Sequence, residues 1–200
     1  MKKLLLVIAL LFLASPAFAG AEVGQPAPDF TGKDTMGREQ HLADYKGKIV
    51  VLEWSNPGCP YVQKHYETGN MQTLQNEEIK KGVVWLTVVS SSKGREGYMS
   101  ADEANDYMKK VGSTPTARIL DSSGEIGKLY GATATPHMFV IDKDGVLQYA
   151  GAIDDRPSAD HDTVAGAHNY VHAAIDELEA GKPVDTSMTQ VYGCSIKYAD

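Results

Sequence analysis

Residues 49–60 are IVVLEWSNPGCP, an apolar and β-branched run followed by turn-forming residues, one cysteine and a proline. Residues 49–54 predict a buried strand, and residues 55–58 predict the turn that ends it. Because proline is favoured at the first position of a helix, Pro60 predicts a helix start and places Cys59 at or near its N-cap. The free amides and positive dipole of a helix start stabilise a thiolate, the reactive form of cysteine. We therefore interpret Cys59 as a nucleophile, with a packed, inert cysteine as the alternative.

Residues 1–19 have the organisation of a secretory signal peptide. A basic pair, Lys2 and Lys3, precedes an apolar stretch over residues 4–14, and small residues follow up to a cleavage point after Ala19. The apolar stretch is shorter than the roughly 20 residues that a membrane span needs. The sequence therefore predicts an exported, periplasmic protein with no stable membrane anchor after cleavage.

The size and charge of the exported chain restrict its organisation and partners. Cleavage removes two of the 19 basic residues, so 17 basic residues face 26 acidic ones and the net charge becomes −9. Such an acidic balance argues against nucleic acid or anionic lipid as a partner. The remaining length fits one domain, which we expect over residues 20–183, followed by a C-terminal tail over residues 184–200.

The order of apolar runs predicts an α/β fold. Further strands are predicted over residues 83–89, 117–120, 138–141 and 146–150, and helices over residues 60–80, 101–111, 124–130 and 162–180. Strands that alternate with helices and finish with a hairpin and a helix indicate a mixed central sheet flanked by helices. An irregular or hairpin-bearing N-terminal extension over residues 20–46 precedes this sheet.

The chain has two cysteines, Cys59 and Cys194. An oxidising compartment permits a disulfide, so they could form a structural bridge, a reversible redox pair or two separate thiols. A structural bridge would stabilise the fold by roughly 4 to 5 kcal/mol in the chain-entropy treatment, so that alternative has a physical basis. We favour the redox pair, because a purely structural bridge does not require Cys59 at a helix start.

Four motifs together resemble the thioredoxin superfamily, in its group of exported peroxiredoxin-like and thioredoxin-like redoxins with a redoxin domain of the AhpC/TSA type. The motifs are Ala27-Pro28-Asp29-Phe30, Trp54 with Cys59-Pro60, Thr135-Pro136, and Phe139-Val140-Ile141-Asp142-Lys143-Asp144-Gly145. The resemblance covers about residues 22–180 and implies a thioredoxin-like fold. It also implies that Pro136 is a cis proline beside Cys59 and serves as a backbone platform for an extended thiol substrate.

Two departures from the family pattern bear on activity. Thioredoxins carry Cys-x-x-Cys, whereas Val62 stands where the second thiol would be, so a local dithiol mechanism is impossible. The hydroxyl and arginine that orient peroxide in peroxiredoxins are replaced by Asn56 and Pro136. The resemblance therefore argues against an efficient peroxidase, and it implies that Cys194 in the tail takes the resolving role.

Several other charged residues are candidates for the same site. Related redoxins often carry a buried acid in the strand before the active cysteine, and the resemblance implies this role for Glu53. Burial would raise the pKa of Glu53 toward the range of a general base; alternatively, Glu53 points to solvent. Lys64 and His65 lie more than a turn beyond Cys59, and we interpret them as part of a solvated helix face.

A histidine pair near the end of the chain is the one candidate for a metal site. His168 and His172 are four residues apart and are expected to share a helix face, but two histidines without further ligands at zinc spacing are weak evidence for a metal. We interpret them as a surface or packed pair. No metal and no organic cofactor are expected.

We therefore expect a thiol-dependent oxidoreductase that acts outside the cytoplasm by thiol–disulfide exchange, with weak peroxide reduction as a second activity. Cys59 is the expected nucleophile, Cys194 its disulfide partner, Pro136 the platform and Glu53 a base. Its partners would be a protein or small-molecule thiol or disulfide and an electron donor. The alternative is a noncatalytic redoxin-fold binding or scaffold protein with a permanent Cys59–Cys194 bridge.

Overall fold

A computed structural model describes residues 20–199, and the predicted signal peptide over residues 1–19 lies outside them. The strands are β1 (Thr31–Lys33), β2 (Glu39–His41), β3 (Val50–Trp54), β4 (Val84–Val89), β5 (Ala117–Leu120), β6 (Ala134–Thr135), β7 (His137–Ile141), β8 (Leu147–Gly151) and β9 (Cys194–Ser195). The helices are α1 (Pro60–Glu67), α2 (Asn70–Lys80), α3 (Ala101–Val111), α4 (Glu125–Tyr130) and α5 (Tyr170–Glu179), with short 3-10 helices at Leu42–Tyr45 and His161–Val164. Over the described range, every helix is too short or too polar to span a bilayer.

A five-stranded mixed sheet in the order β5-β4-β3-β7-β8 forms the centre of the fold. The central strand β3 pairs in parallel with β4 and antiparallel with β7. All five residues of β3 are buried, as the β-branched and apolar run predicts for a strand covered on both faces. The mixed sheet flanked by helices confirms the predicted thioredoxin-like fold.

Alternate residues of β3 enter two separate cores, because successive side chains of a strand point to opposite faces. Val50, Leu52 and Trp54 pack with α4 and the N-terminal extension. Val51 packs on the other face with α1, α2 and α5, in the core that also contains Cys59. Cys59 therefore lies at the start of a helix that packs against this face of the central strand.

Two of the predicted helices are shorter than the sequence pattern indicates. The helix expected over residues 60–80 is interrupted by Gly69, whose positive φ of 77° separates α1 from α2. The helix expected over residues 162–180 begins only at Tyr170, because the Asn169 side chain accepts a hydrogen bond from the His172 backbone N–H and caps it. His168 therefore precedes the helix, and the expectation that His168 and His172 share a helix face was wrong.

The tail is an ordered part of the fold that returns to the sheet. Its strand β9 pairs antiparallel with β6, and the register places Cys194 opposite Thr135. Further along, the backbone N–H of Ser92 donates to the Lys197 carbonyl at 3.0 Å, and the Tyr198 hydroxyl donates to the Ala132 carbonyl at 2.8 Å. The tail therefore lies along the edge of the molecule at which Cys59 is found.

Candidate active site

Cys59 occupies the N-cap of α1, and Pro60 stands at the first helical position, as predicted. The Cys59 backbone is extended and its carbonyl accepts hydrogen bonds from Val62 and Gln63, both at 2.9 Å. The thiol is completely buried and donates to the Thr135 carbonyl, with 3.1 Å between Sγ and O. Cys59 thus stands where the free backbone amides of the first helical turn begin.

Pro136 lies directly beside this contact. The Thr135–Pro136 peptide bond is cis, as the family resemblance implied. Because the Thr135 carbonyl accepts from the thiol and the same residue pairs with β9, the segment before Pro136 contacts both Cys59 and the tail. Pro136 is thus placed where a backbone platform beside the thiol would be.

Cys194 is brought to Cys59 by β9. Both cysteines are free thiols, and Cys194 packs against the core that contains Cys59. Burial, together with the neighbouring Cys59 side chain, raises the pKa of the Cys194 thiol to about 12. A thiol with so high a pKa gives up its proton less readily, so Cys194 is poorly suited to be the first nucleophile.

Glu53 is completely buried beneath α1, so the alternative that it faces solvent was wrong. Its carboxylate accepts hydrogen bonds at 2.7 to 3.2 Å from the side chains of Tyr66, Gln75, Trp85 and Thr87. Burial raises the pKa of Glu53, while these donors and the nearby Arg118 oppose the rise. The residue is a buried acid as expected, and its hydrogen bonds end on side chains other than the two cysteines.

Arg118 is a buried cation that the sequence pattern did not single out. It lies on β5 in register with Thr87, which in turn pairs with Glu53, so the three side chains share one face of the sheet. Arg118 is 1% exposed, and its guanidinium lies 5.3 Å from the Tyr107 ring centre. The three guanidinium nitrogens have no hydrogen-bond partner among residues 20–199. A buried charge in such a position favours a negative charge on Glu53.

Lys64 and His65 are completely buried, so their interpretation as a solvated helix face was wrong. Lys64 Nζ donates to the Arg156 carbonyl at 3.0 Å and lies 3.9 Å from an Asp154 carboxylate oxygen. Burial and the charge of Lys64 lower the pKa of His65 to about 3, so His65 is neutral at pH 7. Helical spacing alone did not predict the burial of Lys64 and His65, because the residues that cover them come from much later in the sequence.

A groove of about 830 Å³ opens next to the turn that precedes Cys59. It lies between α1, the start of α2 and the end of α3, and its walls include Pro57, Gly58, Gln63, Tyr66, Tyr107 and Lys110. Aromatic rings and amides in one wall suit a peptide or a mixed polar and apolar group. The groove is therefore a candidate location for the part of a substrate that is not reacting.

Glu78, His172 and Asp176 offer ligand atoms within 4.8 Å of one another and are the one group in the described range that could hold a metal ion. The Lys81 ammonium already lies among them, 3.2 Å from Glu78 and 3.0 Å from Asp176. A bound cation would have to displace this ammonium. We interpret the group as an ion-pair cluster.

A thioredoxin-like fold with a single cysteine at the start of its first long helix, beside a cis proline, defines a class of thiol-based redox proteins. The family model described as Redoxin matches residues 22–168, and the chain belongs to this family. The predicted family is thereby confirmed.

Individual relatives agree with this assignment. The thiol-disulfide oxidoreductase ResA of Bacillus thuringiensis subsp. konkukian (strain 97-27) is 32% identical over 127 residues, which are 62% of this chain and 66% of that relative. The chain thus spans just under two thirds of that protein's length.

Two solved structures share most of the fold. A conserved protein of Geobacillus kaustophilus described as uncharacterized has a TM-score of 0.77 and 27% identity, with 89% of this chain and 93% of that chain covered. A hypothetical protein from Sinorhizobium meliloti 1021 has a TM-score of 0.76 and 26% identity, with 90% of this chain and 97% of that chain covered.

Proposed function

We propose that this protein is a thiol–disulfide oxidoreductase in which Cys59 is the nucleophile and Cys194 resolves the intermediate. The observation that carries the proposal is the placement of Cys194 opposite Thr135, whose carbonyl accepts a hydrogen bond from the Cys59 thiol. Membership of the Redoxin family and the similarity to a named thiol-disulfide oxidoreductase support it.

The reaction follows from this arrangement. The Cys59 thiolate attacks one sulfur of a substrate disulfide, forms a mixed disulfide and releases the other half of the substrate as a thiolate. Cys194 loses its proton and attacks the Cys59 sulfur, which forms the Cys59–Cys194 disulfide and releases the second substrate thiol. An external dithiol then reduces this disulfide in two equivalent exchange steps and is itself oxidised.

Two further groups would assist this reaction, the backbone before Pro136 and the carboxyl group of Glu53. The backbone before Pro136 pairs with β9, and it would hold the substrate strand in the mixed disulfide in the same way once the tail has moved. Glu53, whose pKa is raised by burial, would accept a proton during exchange. Its own hydrogen bonds end on Tyr66, Gln75, Trp85 and Thr87, so this proton would not come directly from either cysteine.

Slow peroxide reduction is a secondary part of the proposal. Cys59 would attack one peroxide oxygen to give a sulfenic acid and water, and Cys194 would condense with it to give the disulfide and a second water. Asn56 stands in place of the hydroxyl residue of efficient peroxidases, and its side chain accepts from the Gly58 backbone at 2.8 Å. We therefore expect peroxide to react far more slowly than a disulfide.

The place of action is proposed from the N-terminal sequence. The basic pair and apolar stretch of residues 1–19 support export to the periplasm, where a donor of reducing equivalents and a thiol or disulfide substrate would be the partners. The charge balance of −9 after loss of Lys2 and Lys3 argues against nucleic acid.

The test is a titration of the purified protein in glutathione redox buffers, with free thiols counted by mass after alkylation. A Cys59–Cys194 bridge that forms reversibly between about −120 and −270 mV supports a redox catalyst. A bridge that is reduced only below about −300 mV or after denaturation would instead support the noncatalytic scaffold with a structural disulfide. Two thiols that never pair would refute the proposed resolving role of Cys194.

A further inference from the structure

The tail residue Tyr192 enters a buried polar cluster on α1. Its hydroxyl donates a short hydrogen bond to the Asp154 carboxylate and lies 3.4 Å from His65 Nε2. Its ring lies 5.3 Å from the Lys64 ammonium and 5.8 Å from the Tyr61 ring. Asp154 is 3% exposed and Lys64 and His65 are fully buried, so the charged and polar partners of the hydroxyl are themselves shielded from water.

The directions of the hydrogen bonds between His65, Tyr192 and Asp154 are set by the residues at the two ends, Asn70 and Asp154. Asn70 Nδ2 donates to His65 Nδ1 at 2.8 Å, so the proton of the neutral imidazole lies on Nε2 and points to the Tyr192 oxygen. Tyr192 then donates to Asp154. A continuous chain therefore runs from α2 through α1 to the tail and ends on a carboxylate, and such chains strengthen each bond in them.

Tyr192 is two residues before Cys194, and the chain bends at Gly193 between them. Both side chains pack against the core that contains Cys59. Gly193 between them has a φ of 137°, and a Cβ at that position would overlap the Thr135 carbonyl oxygen. The chain from Tyr192 to Cys194 is thus in close contact with the protein on both sides of the turn toward β9.

The remainder of the tail has its own attachments. Thr189 Oγ1 accepts from the Ala152 backbone N–H at 2.9 Å, and Tyr198 binds the Ala132 carbonyl at 2.8 Å. These contacts fix the two ends of the tail without the Tyr192 hydroxyl. The Tyr192 hydroxyl adds a local attachment, which holds the residues immediately before Cys194.

We propose that Tyr192, held by Asp154 and His65, is a positioning residue that sets the effective concentration of the Cys194 thiol at Cys59. The inference rests on the proposed function of the two cysteines. In the disulfide form the covalent bond holds Cys194 in place, whereas in the reduced form the position of Cys194 depends on noncovalent contacts alone. Loss of the hydroxyl therefore releases the reduced tail more than the oxidised one and favours the reduced form.

The test compares Tyr192→Phe with Tyr198→Phe in the full exported protein. Both variants remove one hydroxyl from a tail tyrosine. Of the two hydroxyls, only that of Tyr192 is close to Cys194 in the chain and hydrogen-bonded to a charged group. We expect Y192F to lower the equilibrium constant for the Cys59–Cys194 disulfide against glutathione roughly tenfold, which is the scale of a hydrogen bond to a charged group. This corresponds to a reduction potential about 30 mV less negative. Y198F should change the constant less than twofold.

Each alternative result has a distinct meaning. An unchanged potential in Y192F, even with a lower melting temperature, overturns the inference, because a role in stability alone affects both redox forms equally. Equal changes in Y192F and Y198F also overturn it, since any attachment of the tail would then serve. A failure of the unaltered protein to form the Cys59–Cys194 disulfide would refute the proposed function itself and the inference with it.

Discussion

Glu53 has a charge state that should vary with pH, because burial acts against its charged form while its hydrogen-bond donors and Arg118 act for it. Burial is the largest of these influences and the pKa of Glu53 is raised. A buried carboxyl of this kind is both a candidate proton acceptor and a source of pH-dependent stability.

Glu53→Gln should remove that pH dependence. With its pKa raised in the folded state, the neutral form contributes stability that is complete below the ordinary glutamate pKa of 4.5 and is lost as the pH rises through the folded value. The free energy of unfolding of the unaltered protein should therefore fall relative to E53Q between pH 4 and pH 8, as measured in urea. Glu77→Gln, an exposed change on α2, is the control. Parallel profiles for E53Q and the unaltered protein would contradict the prediction.

Cys194→Ser separates the two halves of the proposed reaction. Cys59 can still attack a disulfide, but nothing resolves the mixed disulfide, so a glutathione adduct on Cys59 should accumulate and turnover should fall at least roughly a hundredfold. Mass spectrometry after oxidised glutathione treatment detects the adduct. Cys59→Ser should form none. An equally active C194S protein would show that Cys194 has no role in turnover.

At the scale of single residues, the sequence predicted the features that depend on neighbours in the chain. It missed the features that depend on residues distant in the chain. Cys59 followed by Pro60 sufficed to predict the N-cap, because both neighbours are adjacent in the chain. The burial of Lys64 could not be predicted, because its partners Asp154 and Arg156 lie about 90 residues later. Tyr192 likewise gave no local signal of its contact with α1.

The strand β9 is the element that makes the site, and Gly193 is the residue on which its approach depends. Its φ of 137° is a conformation that other residues rarely adopt, and a side chain would overlap the Thr135 carbonyl. With any other residue at position 193, β9 would have to move away from Thr135.

Gly193→Ala should therefore weaken the docking of β9 by roughly 1 to 3 kcal/mol, the usual cost of a strained backbone position. Gly181→Ala is the matched control, because Gly181 also has a positive φ, of 68°, but has open space where a Cβ would stand. Urea unfolding of the reduced proteins and the yield of the Cys59–Cys194 disulfide measure the effect. A comparable loss in both variants, with disulfide formation unaffected, would show that the close approach to Thr135 is unimportant.

Element types were predicted better than element ends. The strands follow their β-branched runs closely, since a strand covered on both faces needs a continuous apolar segment. The two long helices were overextended, because their breaks depend on a single glycine at residue 69 and on the side-chain cap of Asn169. Strand β9 was missed, because two residues without alternation carry no strand signal and pair only through tertiary contact.

The whole molecule encloses Cys59 with a tail that is attached at several places along its length. The thiol is completely buried, and Tyr192 and Cys194 pack against the core that contains it. Access to the nucleophile should therefore depend on whether the tail is in place, and we expect substrates to react when it moves.

Ending the chain at Thr189 should increase the rate of Cys59 alkylation at least roughly tenfold. The full-length C194S protein is the control, because it lacks the second thiol but keeps the rest of the tail. Iodoacetamide labelling followed by mass measures both rates. If the truncated protein, shown by circular dichroism to be folded, reacts at the control rate, the helices and sheet alone account for the burial of Cys59.

The antiparallel pairing of β6 with β9 also makes the redox chemistry sensitive to chain length. A slip of one residue in a strand exchanges the residue that faces its partner. In place of Cys194, the position opposite Thr135 would then hold either Gly193 or Ser195, neither of which can form a disulfide. A one-residue shift in this pairing would thus leave Cys59 without its proposed disulfide partner, although Cys59 itself could still be oxidised.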